Sequence, residues 1–242
     1  MRRTPFPLAL AVVAATTLSF TTATAAPAAP TITIRSASLT TGGTSVTCPN
    51  SLARVVGGGF DVASSNEASV SYPSAARSWT VDAPTEFEPS GTAYAICALG
   101  DLTVTIRSAP ASPGVATTVT CPNVLARALS GGFRADDSQS AADVTQSYPS
   151  GSRSWAVKAD APGTAYAVCG LTSLTTTVRS APLVDGQATV TCPNPLANVL
   201  GGGFTTNGAV PASYPSGPRS WTVKAEAAST TGSVYAVCAV EA

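Results

Sequence analysis

Apolar and polar residues alternate along most of this chain with a period of two. In the stretch LTVTIR, Leu102, Val104 and Ile106 share one face, while Thr103, Thr105 and Arg107 share the other. That is the pattern of a strand with one covered face. The same alternation opens TITIRSA at Thr31 and LTTTVRSA at Leu174. A second kind of segment is apolar on both faces. In TAYAICAL, Ala93, Ala95, Cys97 and Leu99 stand against Tyr94, Ile96 and Ala98, which predicts a strand covered on both sides. Turn residues punctuate these segments and no stretch shows a helical period, so the pattern predicts an all-β fold of more than one packed layer.

The pattern also repeats. Three times the chain runs through RSA, VTCPN, LA, GGF, SYPS, RSW and then YAIC or YAVC. Self-similarity at this period marks three tandem β units of about 70 residues, over residues 26–100, 101–172 and 173–242. Most of the length variation falls between GGF and SYPS and between RSW and YA, in stretches rich in Ser, Ala, Asn, Asp and Gly that read as loops. No Pro/Gly/Ser linker separates the units, so they are expected to pack together, in a pseudo-three-fold arrangement. The first strand has no preceding YAVC strand and the last has no follower, so closure of the first strand against the last is expected.

SYPSAARSWTV reads as a hairpin turning at Ala75-Ala76, with Gly151-Ser152 and Gly217-Pro218 in the same places. That register sets Ser74 opposite Arg77 and Tyr72 opposite Trp79. It pairs Tyr148 with Trp155 and Tyr214 with Trp221, each on one apolar face. Pro73 requires its strand to be an edge on the outer side. A Trp sharing a face with Val81 and Ala83 is expected in the core. Arg77, Arg153 and Arg219 are expected to stack on an aromatic ring, with the charge reaching water. Strand glycines need a ring or a backbone close by, so Trp79 or Tyr94 is expected over Gly58 and Gly59. No Lys-Ser/Thr and no helix follows them, as a phosphate loop would require.

The first residues change the setting. Arg2 and Arg3 precede an apolar stretch from Leu8 to Leu18 and a small-residue site at Ala23-Thr24-Ala25. Residues 1–25 therefore read as a secretory signal peptide, too short to be a membrane span, and the chain is expected outside the cytoplasm with no membrane insertion. Six cysteines fall two to a unit. The expected bonds are Cys48–Cys97, Cys121–Cys169 and Cys192–Cys238. The chain carries 13 basic and 13 acidic residues. That balance, with no charge run, argues against nucleic acid or an anionic membrane as partner. Only two of the 13 basic residues are Lys, a bias that fits a high-GC bacterial genome.

Chemistry is sparse. The chain has no His, which excludes Ser-His-Asp and Cys-His catalysis and every His-containing metal site. No acidic residue recurs at a matched position in all three units: Glu86 and Glu88 occur only in the first, Asp136, Asp137 and Asp143 only in the second. The expectation is a protein that is not an enzyme and has no cofactor and no metal. It would be a secreted binding or surface-interaction module for an extracellular glycan or envelope component. Its candidate binding residues are Tyr72, Arg77 and Trp79, Tyr148, Arg153 and Trp155, and Tyr214, Arg219 and Trp221, with the neighbouring loops as equal candidates. The alternatives are a structural, self-assembling envelope protein and a secreted protease inhibitor.

The run TCPNxLA, GGGF, SYPS, RSWxV, YAVCA resembles motifs of small secreted bacterial proteins of unknown function. The resemblance extends over all three units. It implies secretion and pairing of cysteines within each unit, and it brings no activity and no catalytic residue. The second unit departs at Ser130, where the others have Gly57 and Gly201.

Overall fold

Each repeat folds into six strands. In the computed structural model, residues 30–62, 68–83, 90–136, 142–172 and 174–240 are described; the expected signal peptide lies outside them. The first repeat supplies β1 (Thr31–Ser38), β2 (Thr44–Thr47), β3 (Arg54–Val62), β4 (Val70–Ala75), β5 (Ser78–Asp82) and β6 (Gly91–Leu99). The second supplies β7 (Leu102–Ala111), β8 (Thr117–Thr120), β9 (Arg127–Ala135), β10 (Val144–Gly151), β11 (Ser154–Ala159) and β12 (Gly163–Thr172). The third supplies β13 (Thr175–Pro182), β14 (Gln187–Thr191), β15 (Asn198–Thr206), β16 (Ala212–Gly217), β17 (Ser220–Lys224) and β18 (Gly232–Val240). Among the described residues, no helix is long and apolar enough to cross a membrane.

Within a repeat, three strands form one layer (β1-β6-β3) and three form a second (β2-β5-β4). The disulfide Cys48–Cys97 ties the end of β2 to β6 across the layers, and Cys121–Cys169 and Cys192–Cys238 do the same in the other repeats. The expected pairing holds in all three. Neither layer ends at the repeat boundary. β3 pairs with β16, β15 with β10 and β9 with β4, so each of three six-stranded antiparallel sheets takes half its strands from one repeat and half from another. Three such steps return to the start, and the arrangement is a closed pseudo-three-fold. Closure does not run through the chain ends as expected: β1 pairs with β6 of its own repeat. Both sides of β18 are already occupied, by β13 and β15, which leaves no ladder free for β1.

The axis is marked by one β-bulge per repeat. The ladders skip Val56, Leu129 and Leu200, and a bulged residue's carbonyl lies outside the regular pairing. Those carbonyls meet the neighbouring repeat. A Cβ added at Gly57 would overlap the Leu200 carbonyl oxygen, and one added at Gly201 would overlap that of Leu129. At the third position Ser130 Oγ donates to the Val56 carbonyl oxygen at 2.6 Å. Its side chain is therefore housed because it closes the ring of contacts with a hydrogen bond. Ser130→Ala is expected to lower stability by about 1–2 kcal/mol, since the buried Val56 acceptor loses its partner; urea unfolding checks this.

The repeated hairpin turns one residue later than expected. Ala75 pairs with Ser78, Gly151 with Ser154 and Gly217 with Ser220, so the turn residues are Ala76-Arg77, Ser152-Arg153 and Pro218-Arg219. The extra residue is a bulge at Ser74, Ser150 and Ser216. Upstream of it every side chain moves to the other face. Pro73 now lies opposite Trp79, and Tyr72 opposite Thr80. The turn is held from outside the hairpin: the Ala76 carbonyl accepts from Val55 N–H at 3.0 Å and the Arg77 carbonyl from Cys48 N–H at 2.8 Å. β4 is not an edge strand, but its pairing with β9 stops at Ser71–Phe133, two residues before Pro73. The proline therefore faces no ladder on that side, as its missing N–H requires.

Candidate functional site

The bulge separates the aromatic residues of the hairpin. Trp79, Trp155 and Trp221 are at most 1% exposed. Each ring lies against the middle glycine of its own repeat (Gly58, Gly131, Gly202), where an added Cβ would overlap it. Each indole N–H donates to the first serine of SYPS: Trp79 to Ser71 at 3.0 Å, Trp155 to Ser147 and Trp221 to Ser213 both at 3.1 Å. Those three serines and their neighbouring glycines line an axial cavity of about 30 Å³, room for water alone. The tryptophans form the centre of each unit and offer no face to a ligand.

The arginines are committed too. Arg77 Nη2 donates to the Cys48 carbonyl at 2.5 Å, Arg153 to that of Cys121 at 2.5 Å and Arg219 to that of Cys192 at 2.6 Å. The Nε of each is buried without a hydrogen-bond partner among the described residues. The expected stacking of these arginines on aromatic rings is not the arrangement found. Their side chains instead bind the disulfide-bearing turn to the hairpin.

The tyrosines remain, and the fold gathers all six. Tyr94 pairs in register with Gly59, Tyr166 with Gly132 and Tyr235 with Gly203. Because those glycines carry no side chain, the backbone of the next repeat passes directly over them, at Ser213-Tyr214, Ser71-Tyr72 and Ser147, and brings its tyrosine to the first ring. Tyr94 meets Tyr214 (centroids 5.3 Å apart, planes at 17°), Tyr72 meets Tyr166 (4.9 Å, 37°) and Tyr148 meets Tyr235 (5.2 Å, 30°). Such pairs contribute about 0.5–1.5 kcal/mol beyond the area they bury, and here each one clasps two repeats. All six rings are half-buried on the outer surface. Burial, before any nearby charge, raises the hydroxyl pKa of Tyr94 and Tyr166, so these hydroxyls are neutral at physiological pH. Tyr94, Tyr166 and Tyr235 are absent from the candidate binding residues, and Tyr94 alone of the three is expected near the glycines. The signals for them are the apolar-both-sides pattern of YAVC and the strand glycines that call for a covering ring.

The three seams share their rings but not their charges. Lys224 and Asp61 stand opposite Ala212 and form an ion pair at 3.3 Å, with Lys224 5.4 Å from the centre of the Tyr214 ring. Burial opposes the charge on Lys224, but Asp61 and Tyr214 outweigh it and raise its pKa. At the next seam the signs are exchanged: Asp82 and Arg134 stand opposite Val70. At the third, Lys158 and Thr205 stand opposite Gln146.

The Asp82–Arg134 seam carries a surface groove of about 230 Å³, lined by Val70, Tyr72, Thr80, Asp82, Arg134 and Asp136 among others. It combines one aromatic flank, a hydroxyl, a guanidinium and two carboxylates. Of the nine residues expected to bind a ligand, Tyr72 alone lines it. No three acidic or cysteine side chains among the described residues converge as a metal set would; Glu86, Glu88 and Asp137 lie outside those residues. No family model matches this chain, and no curated protein matches it at a significant level.

Proposed function

We propose that this protein is a secreted, non-catalytic glycan-binding module, with the groove at the seam of the first and second repeats as its main site. The observation that carries this reading is the lining of that groove. A saccharide presents one apolar face of C–H groups and a rim of hydroxyls. Tyr72 offers a ring to the first; Asp82 and Asp136 accept from hydroxyls, Arg134 donates to them and Thr80 can do either. The open, shallow form suits a polymer or a chain end, and weak binding at related seams would add by avidity. Three disulfides fit an oxidising environment outside the cytoplasm, and export through residues 1–25 would leave a protein whose intact mass begins at Ala26.

The test is binding to a panel of immobilised polysaccharides and arrayed glycans. Asp136 is exposed, so Asp136→Ala is expected to weaken binding about tenfold, as for a lost charge-assisted hydrogen bond, with an unchanged melting temperature. Tyr72→Ala is expected to abolish binding and to cost modest stability through the lost ring pair. The reading fails if no glycan binds, or if binding survives both substitutions.

A further inference from the structure

The three Cys-Pro-Asn turns carry a feature that neither the core nor the groove uses. In each, the Asn side chain accepts from the backbone N–H two residues on: Asn50 from Leu52, Asn123 from Leu125 and Asn194 from Leu196, all at 2.8 Å. The following alanine is buried (Ala53, Ala126, Ala197) while the leucine is 73%, 72% and 81% exposed respectively. A lone exposed leucine needs no explanation. The same leucine held outward by the same side-chain bond in three units is a built feature.

Topology puts the three on one side of the molecule. β2, β8 and β14 run into these turns, and β3, β9 and β15 run out of them toward the axial contacts at Gly57, Ser130 and Gly201. Leu52 is five residues from Gly57, so it lies within about 18 Å of that contact. Positions related by a three-fold axis lie in one plane across it. The three exposed leucines therefore stand at one level on this end of the molecule.

Among the described residues, the charge around them is predominantly positive. Arg35 lines a surface cleft with Pro49 and Asn50 of the first turn, and Arg54 wraps the same turn, donating to the Ser51 and Ala53 carbonyls at 3.3 and 3.1 Å. Arg77 anchors its base. Arg107, Arg127 and Arg153 hold the matching positions in the second repeat, Arg179 and Arg219 in the third. Arg35, Arg107 and Arg179 are exposed, with guanidinium groups that have no partner among the described residues. Asp101, between β6 and β7, is the one described acid at this end. The others collect at the far ends of the strands, as at Asp61, Asp82, Asp136, Asp160, Asp185 and Glu226. The exposed Val115 and Val184 lie there too, in the β7–β8 and β13–β14 loops.

We propose that this end docks on an anionic lipid bilayer, the three leucines entering the headgroup layer and the arginines meeting lipid phosphates. Apolar tips ringed by cations are what an anionic interface selects. A second copy of this chain is the poorer occupant, because end-to-end docking would set one ring of arginines against another. Net charge over the whole chain is zero and hides this face, because most of the arginines gather at this end and most of the described acids at the other, where Arg134, Lys158 and Lys224 offset only part of them. The proposal is independent of the glycan reading: the groove, with Asp82 and Asp136, would point away from the membrane.

The test is co-sedimentation of the processed chain, residues 26–242, with phosphatidylcholine vesicles containing or lacking phosphatidylglycerol. The processed form is needed because Leu8–Leu18 would itself enter lipid, and every strand lies within 31–240. Binding is expected to the anionic vesicles, much weaker to neutral ones, and reduced by added salt. Each of Leu52→Ser, Leu125→Ser and Leu196→Ser is expected to weaken it about tenfold, and the triple variant to abolish it with an unchanged melting temperature. Asp136→Ala should bind vesicles as wild type does. Failure of the wild-type chain to sediment with anionic vesicles overturns the proposal. So does full binding by the triple variant, which would mark a site for soluble polyanions. A dimer that sedimentation velocity detects and the triple variant lacks would make the surface a self-interface and equally refute the lipid assignment.

Discussion

Gly131→Ala is expected to destabilise the protein by at least about 3 kcal/mol, the upper range for an overpacked core. One methyl group is enough because two rigid neighbours already fill its place. The added Cβ would overlap both the Trp155 ring and the backbone carbonyl oxygen of Tyr166. The ring cannot withdraw freely: it is fully buried and its N–H is engaged by Ser147 at 3.1 Å. The carbonyl cannot withdraw either, since β12 is laddered on both sides, to β7 and to β9. Gly217→Ala is the matched control. Nothing lies within 4 Å of its Cβ position, and the first repeat already has Ala75 there; a change within about 0.5 kcal/mol is expected. Urea unfolding of both variants, with near-ultraviolet dichroism reporting the tryptophans, gives the comparison. Trp155→Leu in the Gly131→Ala background should recover part of the loss. The recovery should be incomplete, because the Tyr166 carbonyl remains. A neutral Gly131→Ala would show that the close approach of ring to glycine is not what organises the unit.

That glycine also shows how far residues alone reach. The repeats and cysteine positions predict the three disulfides, and the glycines predict covering aromatics. Which ring covers which glycine depends on register, and register turns on a bulge at Ser74, Ser150 and Ser216 that leaves no trace in a period-two pattern. A serine suits a bulge as well as a ladder. Missing it puts Tyr72 beside Trp79 in the core and hides the tyrosine seams. The apolar-both-sides reading of Tyr94–Ala98 is right that both faces are covered, but it cannot name the cover. On one side that cover belongs to another repeat, reached through β16. Pairings between repeats, distant along the chain, are likewise what misplaces the expected closure: β1 looks unpartnered until β6 is seen to return to it. Charge behaves in the same way. Asp61, Lys224, Asp82 and Arg134 look scattered along the chain, and become a reciprocal set once β3–β16 and β4–β9 bring them to two seams. In the opposite cyclic order, β9 would meet β16 and set Arg134 near Lys224. The observed order of repeats is thus the one that avoids like charges.

The shared sheets lead to the second large effect. Replacing one disulfide, as in Cys121→Ala/Cys169→Ala, is expected to cost about 4 kcal/mol, the chain-entropy value for a loop of this size. The three loops have separations of 49, 48 and 46 residues, and the dependence on length is logarithmic, so the three double variants should lose nearly equal amounts. Losing all three bonds would remove about 12 kcal/mol by the same reckoning. That is most or all of the 5–15 kcal/mol that holds a domain folded, so the fully reduced chain is expected to be unfolded at room temperature. The form of the transition is as informative as its midpoint. If the repeats were beads, a missing bond would create an early transition of one third the amplitude. Here every six-stranded sheet contains strands of two repeats, and each repeat is laddered to both others. Unfolding the second repeat would strip β4 of β9 and β15 of β10, leaving open edges and exposing Trp155 together with its neighbours' tyrosines. Each single-disulfide variant should therefore keep one transition, displaced as a whole, with calorimetric and van't Hoff enthalpies equal. A separate low-temperature step confined to the altered repeat would show that the seams couple the units far more weakly than their ladders and ring pairs imply.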